Sequence, residues 1–136
     1  MLICPRKHPL TLKREVRWSD LREYPLITVL SESAARRRLD RFFATAGVPV
    51  QPAFEVRNMI TMLGLVDAKI GIAIWPSWAS SLASSFDVEL RPLVRPKAVH
   101  ILSVVTPKGR VISAAVEAFI ETLKDYMRLI GDSPVT

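Results

Sequence analysis

The sequence has a single cysteine, Cys4, in 136 residues, so no disulfide can form within the chain and the fold requires no oxidising compartment. Five glycines and ten prolines, scattered and without a period, exclude a collagen-like or low-complexity chain. No apolar run is long enough to span a membrane: the richest stretch, Met59–Trp75, is broken by Asp67 and Lys69. The opening MLICPRKHPL offers only Leu2, Ile3 and Cys4 before Pro5 and charge intervene, far short of a signal-peptide apolar region. His8 and His100 are far apart and have no further nitrogen or thiolate at ligand spacing, which argues against a metal site. There is no Gly-rich phosphate loop, no nucleophile elbow and no HExxH pair. Ser77, Ser80, Ser81, Ser84 and Ser85 have no base partner, and capping or solvent-facing roles are the simpler reading. The expectation is a protein without catalytic residues, metal or cofactor, and not an enzyme.

What is present is a globular composition, 49% apolar and 24% charged, in a chain long enough for one domain with a core. The net charge of +6 is uneven: residues 1–41 hold ten of the nineteen Lys and Arg but five of the thirteen acids. A basic chain suggests nucleic acid. Yet these residues sit on no DNA-reading motif, and no aromatic stacking surface accompanies them, so a solvated basic face is expected.

Strand and helix alternate along the chain. Met1–Cys4 reads as the end of a strand stopped by Pro5, and Trp18–Leu21 as a helical turn capped by Ser19 or Asp20. Pro25–Leu30 is a short, β-branched, apolar strand. A helix follows Ser31-Glu32-Ser33, with Ala35, Leu39, Phe42, Phe43 and Ala46 on one face and Arg36, Arg37, Arg38, Asp40 and Arg41 pointing elsewhere; Gly47 and Pro49 end it. Gln51–Val56 is a strand, Asn58 caps a helix from Met59 to about Ala68, and Ile70–Trp75 is a strand stopped by Pro76. A short helix over Ser77–Ser84, strands at Val88–Leu93 and His100–Thr106, and a last helix from near Ser113 complete the reading. Val116, Phe119, Ile120, Leu123, Met127 and Ile130 form its apolar stripe. This order predicts an α/β fold with a mostly parallel sheet flanked by helices.

Several of these segments, in this order, resemble the effector-binding domain of LysR-type transcriptional regulators. His8-Pro9-Leu10 is similar to the family's HPL signature, and Trp18–Leu21 followed by Tyr24–Ile27 to its next turn and strand. ARRRLDRFFATAGVPV (Ala35–Val50) resembles its arginine-rich helix ending in Gly-x-Pro. LVDAKIGIAIWP (Leu65–Pro76) resembles the turn usually written Val-Ala-x-Gly-x-Gly and closed by proline, with Lys69 standing where glycine is usual. KGRVISAAVEAFIETL (Lys108–Leu123) looks like the last helix. The resemblance implies a partial effector-binding domain over residues 1–136. It would be one lobe of a two-lobed, periplasmic-binding-protein-like (type 2) sensor at about 8–96, plus a returning strand and helix of the incomplete other lobe at about 99–136. It also implies a cytoplasmic homo-oligomer that meets a small-molecule effector, a carboxylate or aromatic acid. It would touch DNA only through an N-terminal winged helix-turn-helix absent from this sequence, and would have no membrane partner. The alternative is a fragment of a periplasmic solute-binding protein of a transporter, which shares the two-lobed plan.

In such sensors strand C-termini and helix N-termini face the ligand, where free backbone N–H groups attract anions. Three such junctions occur here: Ser31, Glu32 and Ser33; Arg57 and Asn58; and Trp75, Pro76 and Ser77. They would supply hydroxyls, one guanidinium for a carboxylate, and an aromatic wall. Each has a plainer reading: Ser33 and Asn58 as helix caps, Arg57 as a surface residue, Trp75 as core. Glu32 would repel an anion, which leaves the effector's charge open.

Overall fold

The computed structural model describes residues 1–49, 51–98, 103–107, 109 and 112–131. The chain divides into two compact units, Met1–Ala98 and Val99–Thr136. The first contains strands β1 (Leu2–Pro5), β2 (Val16–Arg17), β3 (Leu26–Val29), β4 (Pro52–Val56), β5 (Ile72–Ile74), β6 (Val88–Arg91) and β7 (Leu93–Val94). Its helices are α1 (Ala34–Thr45) and α2 (Met59–Asp67), with 3-10 turns at Pro9–Leu12, Trp18–Glu23 and Ser77–Ser85. One sheet runs β4-β3-β5-β1-β6, and β2 pairs separately with β7. The β3–β4, β3–β5 and β2–β7 ladders are parallel; only β1, against β5 and β6, is antiparallel. The mostly parallel α/β sheet read from the sequence is therefore the one observed.

Alternation along the strands sends successive side chains into two cores on opposite faces. Leu2, Cys4, Leu26 and Ile72 join Trp18 and the α1 residue Phe43 on one face. Ile3, Ile27 and Ala73 join Met62, Leu63 and Val66 of α2, with Trp75, on the other. Each fully buried side chain of this size contributes about 1.5–3 kcal/mol. The inner strands β1, β3 and β5 have no wet face because helices cover both sides, which explains their unbroken apolar sequences; the edge strand β4 leaves Phe54 and Glu55 exposed.

Several boundaries differ from expectation. The turn at Trp18 begins two residues earlier than capping by Ser19 would require, with Arg17 at the N-cap: the Asp20 carboxylate accepts the Arg17 N–H at 2.8 Å. On α1, Ala35 is exposed and Arg36 is buried, the reverse of the expected faces, because the Arg36 guanidinium finds acceptors on the neighbouring strands. Of the expected strand His100–Thr106, residues 100–102 lie outside the described residues, and 103–106 form no ladder with any described residue. A strand needs a neighbour for its backbone groups.

In the second unit α3 spans Ala114–Gly131, and the Ser113 hydroxyl accepts the Val116 N–H at 3.4 Å. Phe119 is 65% exposed, and Ile120, Leu123 and Met127 are only half-buried, so the apolar stripe is largely uncovered.

Lys69 ends the α2 turn in the left-handed region, at φ 62. A side chain there is disfavoured relative to glycine by about 1 kcal/mol. Lys69→Gly is accordingly expected to raise stability by about that amount in urea denaturation. A loss would mean that the lysine side chain contributes something its backbone does not reveal.

His8 caps the first 3-10 turn: its Nδ1 accepts the Leu10 N–H at 3.2 Å, and the ring meets Tyr24 edge-on at 4.4 Å. Burial holds its pKa below 6.5. As pH falls, the unfolded chain takes up the proton first. The stabilisation is therefore complete above pH 6.5 and is lost as pH drops through the folded value. His8→Asn keeps an acceptor that does not titrate, so its stability is expected to fall less than wild type between about pH 7 and about pH 5. Parallel pH profiles for the two proteins would refute this.

Candidate functional site

Because β4, β3 and β5 are adjacent and parallel, their C-terminal ends lie side by side: Val29 is opposite Val56, and Ile27 opposite Ala73. The Leu30 N–H donates to the Val56 carbonyl at 3.2 Å, joining the two loops that leave β3 and β4. The three junctions picked from the sequence thus occupy one end of one sheet.

The first junction leads into α1. Ser33 is its N-cap, its Oγ accepting the Arg36 N–H at 3.0 Å. Ser31 is exposed and donates to Glu32 Oε2 at 3.4 Å, while Arg37 holds the Glu32 carbonyl at 2.6 Å. The second leads into α2, where Asn58 Oδ1 accepts the Thr61 N–H at 2.8 Å. Both cap side chains are committed, but the first backbone N–H groups of each helix stay available, as geometry requires of any helix start. Arg57, beside Asn58, is exposed and has no hydrogen bond or ion pair among the described residues.

The third junction differs. Trp75 is 1% exposed, and its indole Nε1 donates to the Ala79 carbonyl at 2.8 Å within the α2-side core. It closes the core beneath the site and presents no aromatic wall. Pro76 is half-buried, ahead of the Ser77–Ser85 turn, and Ser77 is exposed, its carbonyl taken by the Ser80 hydroxyl.

One residue at this end was read as a surface arginine. Arg36 is 8% exposed. Its Nη1 donates to the Val29 carbonyl at 3.3 Å and to Glu55 Oε1 at 2.5 Å, and its Nε to Asp40 Oδ1 at 2.8 Å. Burial works against the charge, but the Glu55 and Asp40 carboxylates more than offset it and raise the pKa above that of an ordinary arginine. The available sequence cue was Asp40 four residues on; the contacts to β3 and β4 depend on tertiary structure.

A shallow cavity of about 210 Å³ lies at the opposite end of the sheet. Leu21, Tyr24 and Leu26 at the start of β3 line it, with Phe43, Val48 and Gln51 around the end of α1. Among the described residues no group of three or more His, Cys, Asp or Glu is placed to hold a metal, and no helix is long and apolar enough to cross a membrane.

The LysR substrate binding domain family model matches residues 1–128. The chain belongs to that family. HTH-type transcriptional regulator YbhD of Escherichia coli is 35% identical over 123 residues, 90% of this chain and 39% of that protein. The LysR chain thus spans about two fifths of the length of this curated relative. Among solved structures, the effector binding domain of QuiR in complex with shikimate superposes with a TM-score of 0.76 at 25% identity, covering 92% of this chain and 59% of that one. HinK, a LysR family transcriptional regulator from Pseudomonas aeruginosa, shares the fold with a TM-score of 0.77 at 18% identity, over 93% of this chain and 44% of that one. The periplasmic-binding-protein-like architecture expected of a LysR sensor lobe is the one these neighbours have.

Proposed function

We propose that this LysR domain is the small-molecule sensing part of a cytoplasmic DNA-binding transcriptional regulator, and that its effector is a small carboxylate or aromatic acid. The observation that carries the reading is the convergence of two capped helix N-termini and the unpaired Arg57 at one sheet end. Backbone N–H groups with the positive ends of helix dipoles, plus one guanidinium, form an acceptor for an anion. Shikimate, the ligand named for QuiR, belongs to that chemical class. Glu32 opposes an anion and would tune, not abolish, the preference. Such a domain carries no chemistry of its own: the ligand's differential affinity for a closed arrangement of lobes biases an oligomer, and so moves DNA-binding domains elsewhere in the regulator. The uncovered stripe of α3 is consistent with association into an oligomer. Similarity to HTH-type regulators over 90% of the chain weighs against a transporter's solute-binding protein.

An amide-resolved NMR titration with a panel of small carboxylates and aromatic acids, shikimate first, tests the reading. Shifts are expected at Ser31–Ser33 and Arg57–Asn58, with affinity about tenfold or more weaker in Arg57→Ala, the usual scale for one charged hydrogen bond. Shifts confined to the cavity around Tyr24 and Phe43 would move the site to the other end of the sheet.

A further inference from the structure

We propose that Arg36 is a positioning residue for this site: its guanidinium ties the loop after β3 to the loop after β4 and fixes the spacing between Ser33 and the Arg57–Asn58 pair. The inference rests on reading that sheet end as the effector site. Arg36 sits in the first turn of α1, two positions beyond Ala34, and its own N–H is the group that Ser33 Oγ caps. Val29, whose carbonyl it holds, is the last residue of β3 and lies two residues before Ser31. Glu55, its carboxylate partner, lies two residues before Arg57. One side chain therefore touches the start of α1, the end of β3 and the end of β4, the three elements that present the candidate groups.

The need for arginine follows from the directions of these contacts. Val29 O and Glu55 Oε1 are reached from Nη1, and Asp40 Oδ1 from Nε. A planar fork can serve acceptors on separate elements at once, whereas an ammonium is a point donor on a flexible stem. The backbone bond from Leu30 to Val56 also links the two loops, and it restrains their separation but not the tilt of α1. Without Arg36, β4 keeps a Glu55 carboxylate on an edge strand with no cation beside it, since the salt bridge to Arg36 is the one Glu55 makes among the described residues.

The test is hydrogen–deuterium exchange on the 136-residue chain as wild type, Arg36→Met, Arg36→Lys and Glu55→Gln. In Arg36→Met, amides of Ser31–Ser33 and Arg57–Asn58 are expected to exchange about tenfold faster while β1, β5 and β6 are unchanged. Glu55→Gln and Arg36→Lys are expected to show the same pattern at smaller amplitude, and they keep the test decisive should Arg36→Met fail to fold. A residue that merely stabilises the domain would accelerate exchange throughout the sheet, so uniform acceleration, unchanged loops, or full protection in Arg36→Lys each overturns the proposal. Titration of the same proteins with shikimate is expected to weaken about tenfold in Arg36→Met. Loosened loops with undiminished shikimate affinity would overturn the positioning role. If shikimate does not bind the wild type, the carboxylate reading fails while the exchange pattern still decides whether Arg36 ties the loops.

Discussion

Gly71→Ala is expected to destabilise the domain by about 3 kcal/mol or more, lowering its melting temperature by roughly 10–20 °C for a domain of this size. A Cβ built at Gly71 would stand 2.4 Å from the Pro25 carbonyl oxygen, with Pro25 C at 3.2 Å and Ile27 Cγ1 at 3.3 Å. The first two are backbone atoms and cannot swing aside. They are also held in place, because the Ile72 N–H donates to that same Pro25 carbonyl at 2.9 Å. Making room for one methyl group would pull the start of β5 off β3, the central parallel ladder of the sheet. The control is Gly64→Ala, in the middle of α2, where nothing lies within 4 Å of the added Cβ. Alanine there removes the backbone entropy cost of a helical glycine and is expected to stabilise by about 1 kcal/mol. Urea denaturation of the two variants separates a glycine required by contact from one that is not. Equal effects would mean the β3–β5 approach is looser than described.

The contrast shows what could be read in advance. The apolar runs at Leu26–Val29 and Ile72–Ile74 and the caps Ser33 and Asn58 follow from local rules, and all were legible in the sequence. They depend on backbone conformation and side-chain type within a few residues. Gly71 and Arg36 were not legible, because their roles are set by atoms on other elements of the fold: Pro25 for one, Glu55 and Val29 for the other. A run of arginines on a helix looks like a solvated face until a carboxylate on an adjacent strand supplies a partner. The three junctions at the sheet end were picked from order alone, and parallel pairing of β3 with β4 and β5 places them side by side. Whether each side chain faces solvent or core was decided by packing that no short motif encodes, and Trp75 is the clearest case.

Trp75→Ala is expected to cost about 3–5 kcal/mol, the range for removing a buried large aromatic, and so to consume much of a small domain's stability. The indole is almost wholly buried among α2 and strand residues, and its ring N–H satisfies the Ala79 carbonyl. Trp75→Phe separates the two terms. Phenylalanine restores most of the apolar volume but leaves the carbonyl of a buried residue without its donor, which costs about 1–3 kcal/mol. The same variant distinguishes a core residue from a ligand wall. If Trp75 supports the site only from beneath, Trp75→Phe loses stability in denaturation while the folded protein keeps its affinity for a bound carboxylate. If instead the ring faces the ligand, affinity falls and stability is nearly untouched. The geometry favours the first outcome, because the ring's polar edge already points into the protein, towards the turn that follows Pro76. An effector at this sheet end would then be held by backbone N–H groups, hydroxyls and Arg57, and a preference for aromatic over aliphatic acids would have to come from outside these three junctions.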